Sequence, residues 1–191
     1  MGATFFRRLV GAAMLDAGTY EEVEVDRTAT PQALAVVVFS SLAAAIGAKG
    51  LNGGTATFAF FASASVISLL AWAAWAFVMF EIGSRLLPTP QTRVDPGELL
   101  RTLGFAATPG LLQVFGVFPG TTVPVFVLAV VWTLAASVVA VRQALDYTST
   151  ARALAVCSLG GILSLAVAVV LGLVFGPTLS GFSQEFLWHR I

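Results

Sequence analysis

The sequence predicts an all-α, polytopic integral membrane protein: a five-transmembrane-helix bundle with an N-terminal interfacial amphipathic helix. Three observations lead there. Of 191 residues, 58% are hydrophobic and 10% charged, against about a quarter charged in ordinary soluble domains. A soluble fold must coat its surface with polar groups, and ten basic plus ten acidic side chains are too few for that. Mean hydropathy is +0.91, and the apolar residues fall into runs on the scale of the roughly 20 residues that cross a hydrocarbon core. The ends of those runs carry helix punctuation.

Residues 1–30 read as a cytoplasmic segment. Phe6, Leu9, Val10, Ala13 and Met14 group against Arg7 and Arg8 as an interfacial helix would. Asp16 interrupts the apolar stretch Leu9 to Leu15 and no small-x-small site follows, so the N-terminus reads as retained rather than as a cleaved signal. The acidic strip Glu21 to Asp26 lacks the turn glycine and ligand spacing of a calcium loop, which makes it a solvated or partner-facing strip rather than a metal site.

The five-span domain covers residues 31–177. The first span runs from Pro31 to about Lys49, with Thr30 as N-cap and Gly50 as the closing residue before the Asn52-Gly53-Gly54 turn. The second runs from about Thr57 to Leu87, longer than the core, so Glu81 and Arg85 fall at the membrane edge as an i, i+4 pair. Pro88 and Pro90 stop it. Asp95-Pro96-Gly97-Glu98 is a capping-box-like start for the third helix, which continues to Phe118 with a kink at Pro109, where the missing donor frees the Phe105 carbonyl. Arg101 must then snorkel to the interface. The fourth span starts near Thr122 and meets Arg142 and Asp146 after Val141, a second i, i+4 pair. The fifth covers Ala151 to Gly176 and stops at Pro177; residues 178–191 form a short external tail with Leu179, Phe182, Phe186 and Trp188 suited to an interface.

Cations set the orientation. With the N-terminus inside, Arg7, Arg8, Arg27, Arg85, Arg93, Arg101, Arg142 and Arg152 are all cytoplasmic, and Lys49 and Arg190 are external. The positive-inside rule therefore puts the N-terminus in the cytoplasm and the C-terminus outside the cell (inner) membrane.

A formal net charge of zero without a basic block argues against nucleic acid as a partner. The single cysteine, Cys157, sits in an apolar run and supports neither an internal disulfide nor a multi-cysteine metal site. His189 has no nucleophile beside it, and no phosphate loop, dinucleotide fingerprint or zinc-protease motif occurs. No catalytic, metal or cofactor residues are assigned; membrane lipids and an unidentified protein are the expected partners.

Two constellations remain. Glu81, Arg85, Arg101, Arg142 and Asp146, with Arg152, map to the inner helix ends, either converging into a polar pocket or acting as separate snorkelling groups. Gly160, Ser164, Ala168, Gly172 and Gly176 recur every four residues on one face of the fifth span. Such stripes let helices approach closely in lipid, here within the bundle or between the copies of a homo-oligomer.

Glu98-Leu-Leu-Arg101-Thr-Leu-Gly104-Phe-Ala-Ala-Thr-Pro109, followed by Trp132 and then Val139-Ala-Val-Arg142-Gln-Ala-Leu-Asp146-Tyr, resembles the Yip-domain family, whose name comes from interaction with Ypt/Rab GTPases. The resemblance extends from about Thr19 to Val174. It implies a five-span protein with a cytoplasmic N-terminus, and Arg101, Gly104, Pro109, Trp132, Arg142 and Asp146 as family-pattern positions, with Gly104, Pro109 and Trp132 structural in role. Eukaryotic members use a long cytoplasmic N-terminal region to bind Rab-type GTPases. With only residues 1–30 before the first span, this chain is similar to the shorter bacterial members. The expected function is that of a non-enzymatic membrane adaptor or accessory protein; the alternative is a small transporter or lipid-handling protein with a cytoplasmic-side polar pocket.

Overall fold

A computed structural model describes residues 2–48, 58–90 and 95–188. Every regular element among them is helical. Four helices are long and apolar enough to cross a membrane: Arg27–Gly47, Phe60–Leu86, Thr122–Ala144 and Thr150–Val167.

Two short helices come first, α1 (Gly2–Ala13) and α2 (Ala17–Val25). The joint between them is a Schellman closure. Asp16 N–H reaches Gly11 O at 3.0 Å and Leu15 N–H reaches Ala12 O at 3.1 Å, with Leu15 in the left-handed position at φ 61. That conformation costs a non-glycine residue about 1–2 kcal/mol. Asp16 then caps α2, accepting from Thr19 N at 3.0 Å and Thr19 Oγ1 at 2.7 Å, and those bonds hold its carboxyl below the usual range. The return is tight because Gly11 has no Cβ; one built there would overlap the Thr19 side chain.

α3 (Thr30–Gly47) has Ala29 rather than Thr30 at its N-cap. Thr30 has moved inside the first turn, its hydroxyl donating to Arg27 O at 3.1 Å, because a one-turn 3-10 helix, Arg27–Ala29, leads directly into the span. Lys49, Gly50 and the Asn52-Gly53-Gly54 turn lie outside the described residues. α4 (Phe58–Glu81) ends in a π turn, Ile82–Leu86, closed by Leu87 N–H on Ile82 O at 2.9 Å.

The third apolar segment is not one kinked α-helix. It is an α-helix, α5 (Pro96–Ala106), followed by a 3-10 segment, Thr108–Val117. Asp95 and Glu98 form the expected capping box. Pro109 donates nothing, so carbonyls near the break are satisfied by side chains: Thr108 Oγ1 donates to Phe105 O at 2.6 Å and Ser40 Oγ to Ala107 O at 2.8 Å. Together the 11 and 10 residues of the two pieces extend about 36 Å at α and 3-10 rises. They run alongside α3 in the same direction. A Cβ on Gly104 would lie 2.7 Å from the Ala33 Cβ, one on Gly110 would lie 3.2 Å from the Ser40 Cβ, and Gly116 meets Gly47.

α6 (Thr122–Ala144) begins with Thr122 Oγ1 donating to Gly116 O at 2.6 Å. It closes in a second Schellman motif, Tyr147 N–H to Arg142 O and Asp146 N–H to Gln143 O, both 2.9 Å, with Asp146 left-handed at φ 52. α7 runs Thr150–Trp188, past Pro177, where the sequence suggested a stop. Gly176 before it has no Cβ to clash with the proline ring, which removes one of the two contacts that disfavour a helical residue ahead of proline. Among its described side chains, α7 packs on the bundle through its first part: Ala153 and Val156 are fully buried, and Gly160 admits the Met79 side chain where a Cβ would overlap it. From Ile162 to Val167 every residue is exposed.

Candidate functional site

Charge gathers at one end of the bundle, where α3, α5 and α7 begin and α4 and α6 end. Most of it is engaged in holding the chain together. Arg101, on the buried face of α5, is 5% exposed. Its Nε donates to Val23 O at 3.0 Å and Glu24 O at 3.1 Å, and its Nη2 donates to Glu24 O as well. Those carbonyls are the orphan acceptors at the end of α2, so the guanidinium is a C-terminal cap supplied from 77 residues away. Instead of snorkelling, as the sequence led us to expect, it is buried, because α2 folds over it.

Arg8 ties down the other side of the N-terminal unit, through side-chain partners rather than backbone carbonyls. It is 5% exposed and donates to Glu22 Oε1 at 2.9 Å, Asp26 Oδ2 at 2.6 Å and Gln32 Oε1 at 3.0 Å, while Arg7 pairs with Glu22 at 2.7 Å. Burial opposes the Arg8 charge, but the Asp26 and Glu22 bonds outweigh it and raise its pKa. Asp26 is held low by Thr28 and Arg8. The acidic strip is thus partly neutralised by α1 rather than wholly solvated. Phe5 stacks edge-on to Phe105 at 6.4 Å, the Trp132 indole donates to Ala13 O at 2.7 Å, and Gln143 donates to Glu21 at 2.6 Å. Helices α1 and α2 are latched to α5 and α6 by these contacts.

Glu24 stands apart. Half-buried, with Asp146, Glu98 and Glu21 close enough to repel it and Arg101 only partly compensating, its carboxyl is pushed up to about 7, chiefly by burial.

The inner-edge residues singled out in the sequence do not meet in one pocket. Arg85, in the π turn, pairs with Glu81 at the end of α4 at 3.0 Å, bordering a pocket that Leu163 also lines. Arg142 donates to Tyr147 O at 3.3 Å instead of pairing with Asp146. The helix closes at Ala144 and the left-handed turn carries Asp146 off the i, i+4 position. Arg152 reaches Pro88 O at 3.4 Å. Sequence reasoning missed Tyr147, whose hydroxyl donates to Leu87 O at 2.8 Å and Gly83 O at 3.2 Å and ties the α6–α7 turn to the π turn after α4. Burial raises its pKa. No local pattern marks it, because its partners are 60 and 64 residues away.

Gly104 and Pro109 lie at the α3 crossing and the helix break, and Trp132 at the α1 latch. In the small-residue stripe, Gly160 seats Met79 and Ser164 is exposed; the side chains of Ala168, Gly172 and Gly176 lie outside the described residues, as do His189 and Arg190. Among the described residues no cluster of histidine, cysteine and carboxylate side chains could hold a metal ion.

A second polar site lies in mid-span. An open cleft of about 360 Å³ lies between α3, α4, the 3-10 segment and α6, with Ser40, Ser68, Trp72, Gln113 and Thr133 among its walls. Comparison with family models, curated proteins and solved structures finds no match to this chain.

Proposed function

We propose that the chain is a non-enzymatic membrane adaptor or accessory protein of the Yip type, with five spans, a cytoplasmic N-terminus and an external C-terminus in the cell membrane. The fifth crossing in this reading is α5 with its 3-10 continuation. Its support is the parallel course beside α3 from Ala33 to Gly47, about 21 Å of helix. The orientation rests on the cations, and α1 with exposed Phe6, Val10 and Met14 is read as lying at the inner interface.

One observation carries the adaptor reading: the capping of α2 by the buried Arg101. A guanidinium spent on backbone carbonyls is a docking device for the cytoplasmic segment, and it leaves Glu21, Val25 and Arg27 exposed on a surface of defined shape. The competing conduit reading called for a polar pocket at Arg101 and Arg142; Arg101 is buried on the α2 carbonyls, and Arg142 turns its Nε to the Tyr147 carbonyl rather than to a site shared with Arg101. The test is affinity purification of wild type and Arg101→Met from native membranes, with co-purifying proteins quantified by mass spectrometry. A protein partner retained by wild type and lost with the latch is expected. An interactome unchanged by Arg101→Met, in a variant whose α1–α2 unit is shown by hydrogen exchange to be released, would overturn the reading.

A further inference from the structure

The mid-span cavity has a composition that helix packing does not require. Ser40 and Ser41 lie about 15 Å along α3 from Thr30, near its middle, and Trp72 and Thr133 are central in α4 and α6. A polar group in hydrocarbon costs several kcal/mol unless it is hydrogen-bonded. Two of the hydroxyls are satisfied within the protein: Ser40 on Ala107 O at 2.8 Å and Ser41 on Val38 O at 2.7 Å. The indole nitrogen of Trp72, whose ring is part of the wall, has no partner among the described residues and is covered as it stands, so an occupant reaches it through a turn of the ring. Ser68, Gln113 and Thr133 also line the space and use their side chains in none of the hydrogen bonds among the described residues. Among the described residues no charged side chain lines it.

Its boundaries indicate how it is reached. Both α4 and α6 pack on their neighbours, α4 on α3 and α5, α6 on the 3-10 segment and α5, yet they scarcely touch each other. The 3-10 segment, a consequence of Pro109, forms the floor between them. The space is therefore a cleft open between α4 and α6, the side that meets lipid if these helices span, with mostly apolar walls and a few polar side chains, which is the usual make-up of a small-molecule site.

We propose that this cleft binds an uncharged, hydrocarbon-tailed molecule whose polar end carries a carbonyl oxygen that accepts from the Trp72 indole. The indole is donor-only, so the occupant must present an acceptor; Ser68, Gln113 and Thr133 can donate or accept and so tolerate a hydroxyl beside it. An ionised headgroup finds no counter-charge here. The cleft takes the polar end and first carbons, and the tail lies between α4 and α6 among the lipid chains. A quinone and a diacylglycerol share this chemistry. The inference is independent of the adaptor reading and concerns a different part of the molecule.

Native mass spectrometry of the purified full chain in detergent tests it, with a short-tailed benzoquinone, dioctanoylglycerol and phosphatidylglycerol as separate probes. One neutral probe is expected to bind with one-to-one stoichiometry, identifying the source, while phosphatidylglycerol does not compete. Trp72→Phe, which keeps the ring and removes the N–H, should weaken binding about tenfold. Thr133→Phe, which fills the cleft from the opposite wall, should abolish it and keeps the test intact if Trp72→Phe fails to fold. Absence of both neutral probes from wild type, retention of phosphatidylglycerol alone, or unchanged binding in a folded Trp72→Phe or Thr133→Phe variant would overturn the proposal.

Discussion

The charged end and the mid-span cleft are both polar regions of one apolar molecule, and they handle polarity in opposite ways. At the charged end the buried groups are satisfied: Arg8 by two carboxylates and an amide, Arg101 by two carbonyls. In the cleft, Trp72 keeps a buried donor with nothing to donate to among the described residues. A satisfied network holds structure in place, whereas an unsatisfied one leaves binding capacity. The charged residues singled out by sequence are thus mostly bonded within the protein, and the ligand proposal rests on the uncharged residues of the cleft.

That contrast is open to attack at several points. The largest effect is expected from Arg101→Met, which leaves the α2 carbonyls buried without a donor; about 2–4 kcal/mol should be lost, read as loss of hydrogen-exchange protection in residues 2–26 with the spans still protected. Unchanged protection would mean the latch is not structural. Gly104→Val forces α3 and α5 apart at a contact of 2.7 Å to Ala33 and should cost about 1–3 kcal/mol, measured by thermal unfolding in detergent. Tyr147→Phe removes the hydroxyl bonds to Leu87 and Gly83, for a loss of about 1 kcal/mol by the same measurement.

A pH experiment separates the latch from the cleft. Glu24 has its pKa raised from 4.5 to about 7 in the folded protein, so folding favours its neutral form. The stability this confers on the latched state is full below pH 4.5 and is lost as pH rises to about 7. Protection of α2 should fall over that window and Glu24→Gln should flatten the profile. Because Glu24 is half exposed, screening limits the change to within about tenfold. The smallest effect is expected from Arg85→Gln: its pair with Glu81 is exposed, and unfolding should shift by about 0.5 kcal/mol or less.

Local signals were readable where the causes are local. The capping box at Asp95 and Glu98, the break near Pro109 and the Glu81–Arg85 pair all depend on residues within four positions of one another. Expectations failed where a distant segment intervened. Arg101 was expected at an interface because no local pattern shows α2 covering it. The Arg142–Asp146 pair was expected from spacing, and was lost because Asp146 takes the left-handed position that ends α6. For the cleft, Ser40, Trp72 and Thr133 are unremarkable in their own helices.

Composition and apolar run length settle that this chain is helical and membrane-like, because in hydrocarbon the backbone must satisfy its own hydrogen bonds and a helix does so within one segment. Packing alone decides which polar groups find partners. Arg101 meets carbonyls 77 residues away, Trp132 meets one 119 residues away, and Trp72 meets none among the described residues. Hydrogen-bond satisfaction depends on distances between helices, and periodicity along one helix carries no record of those.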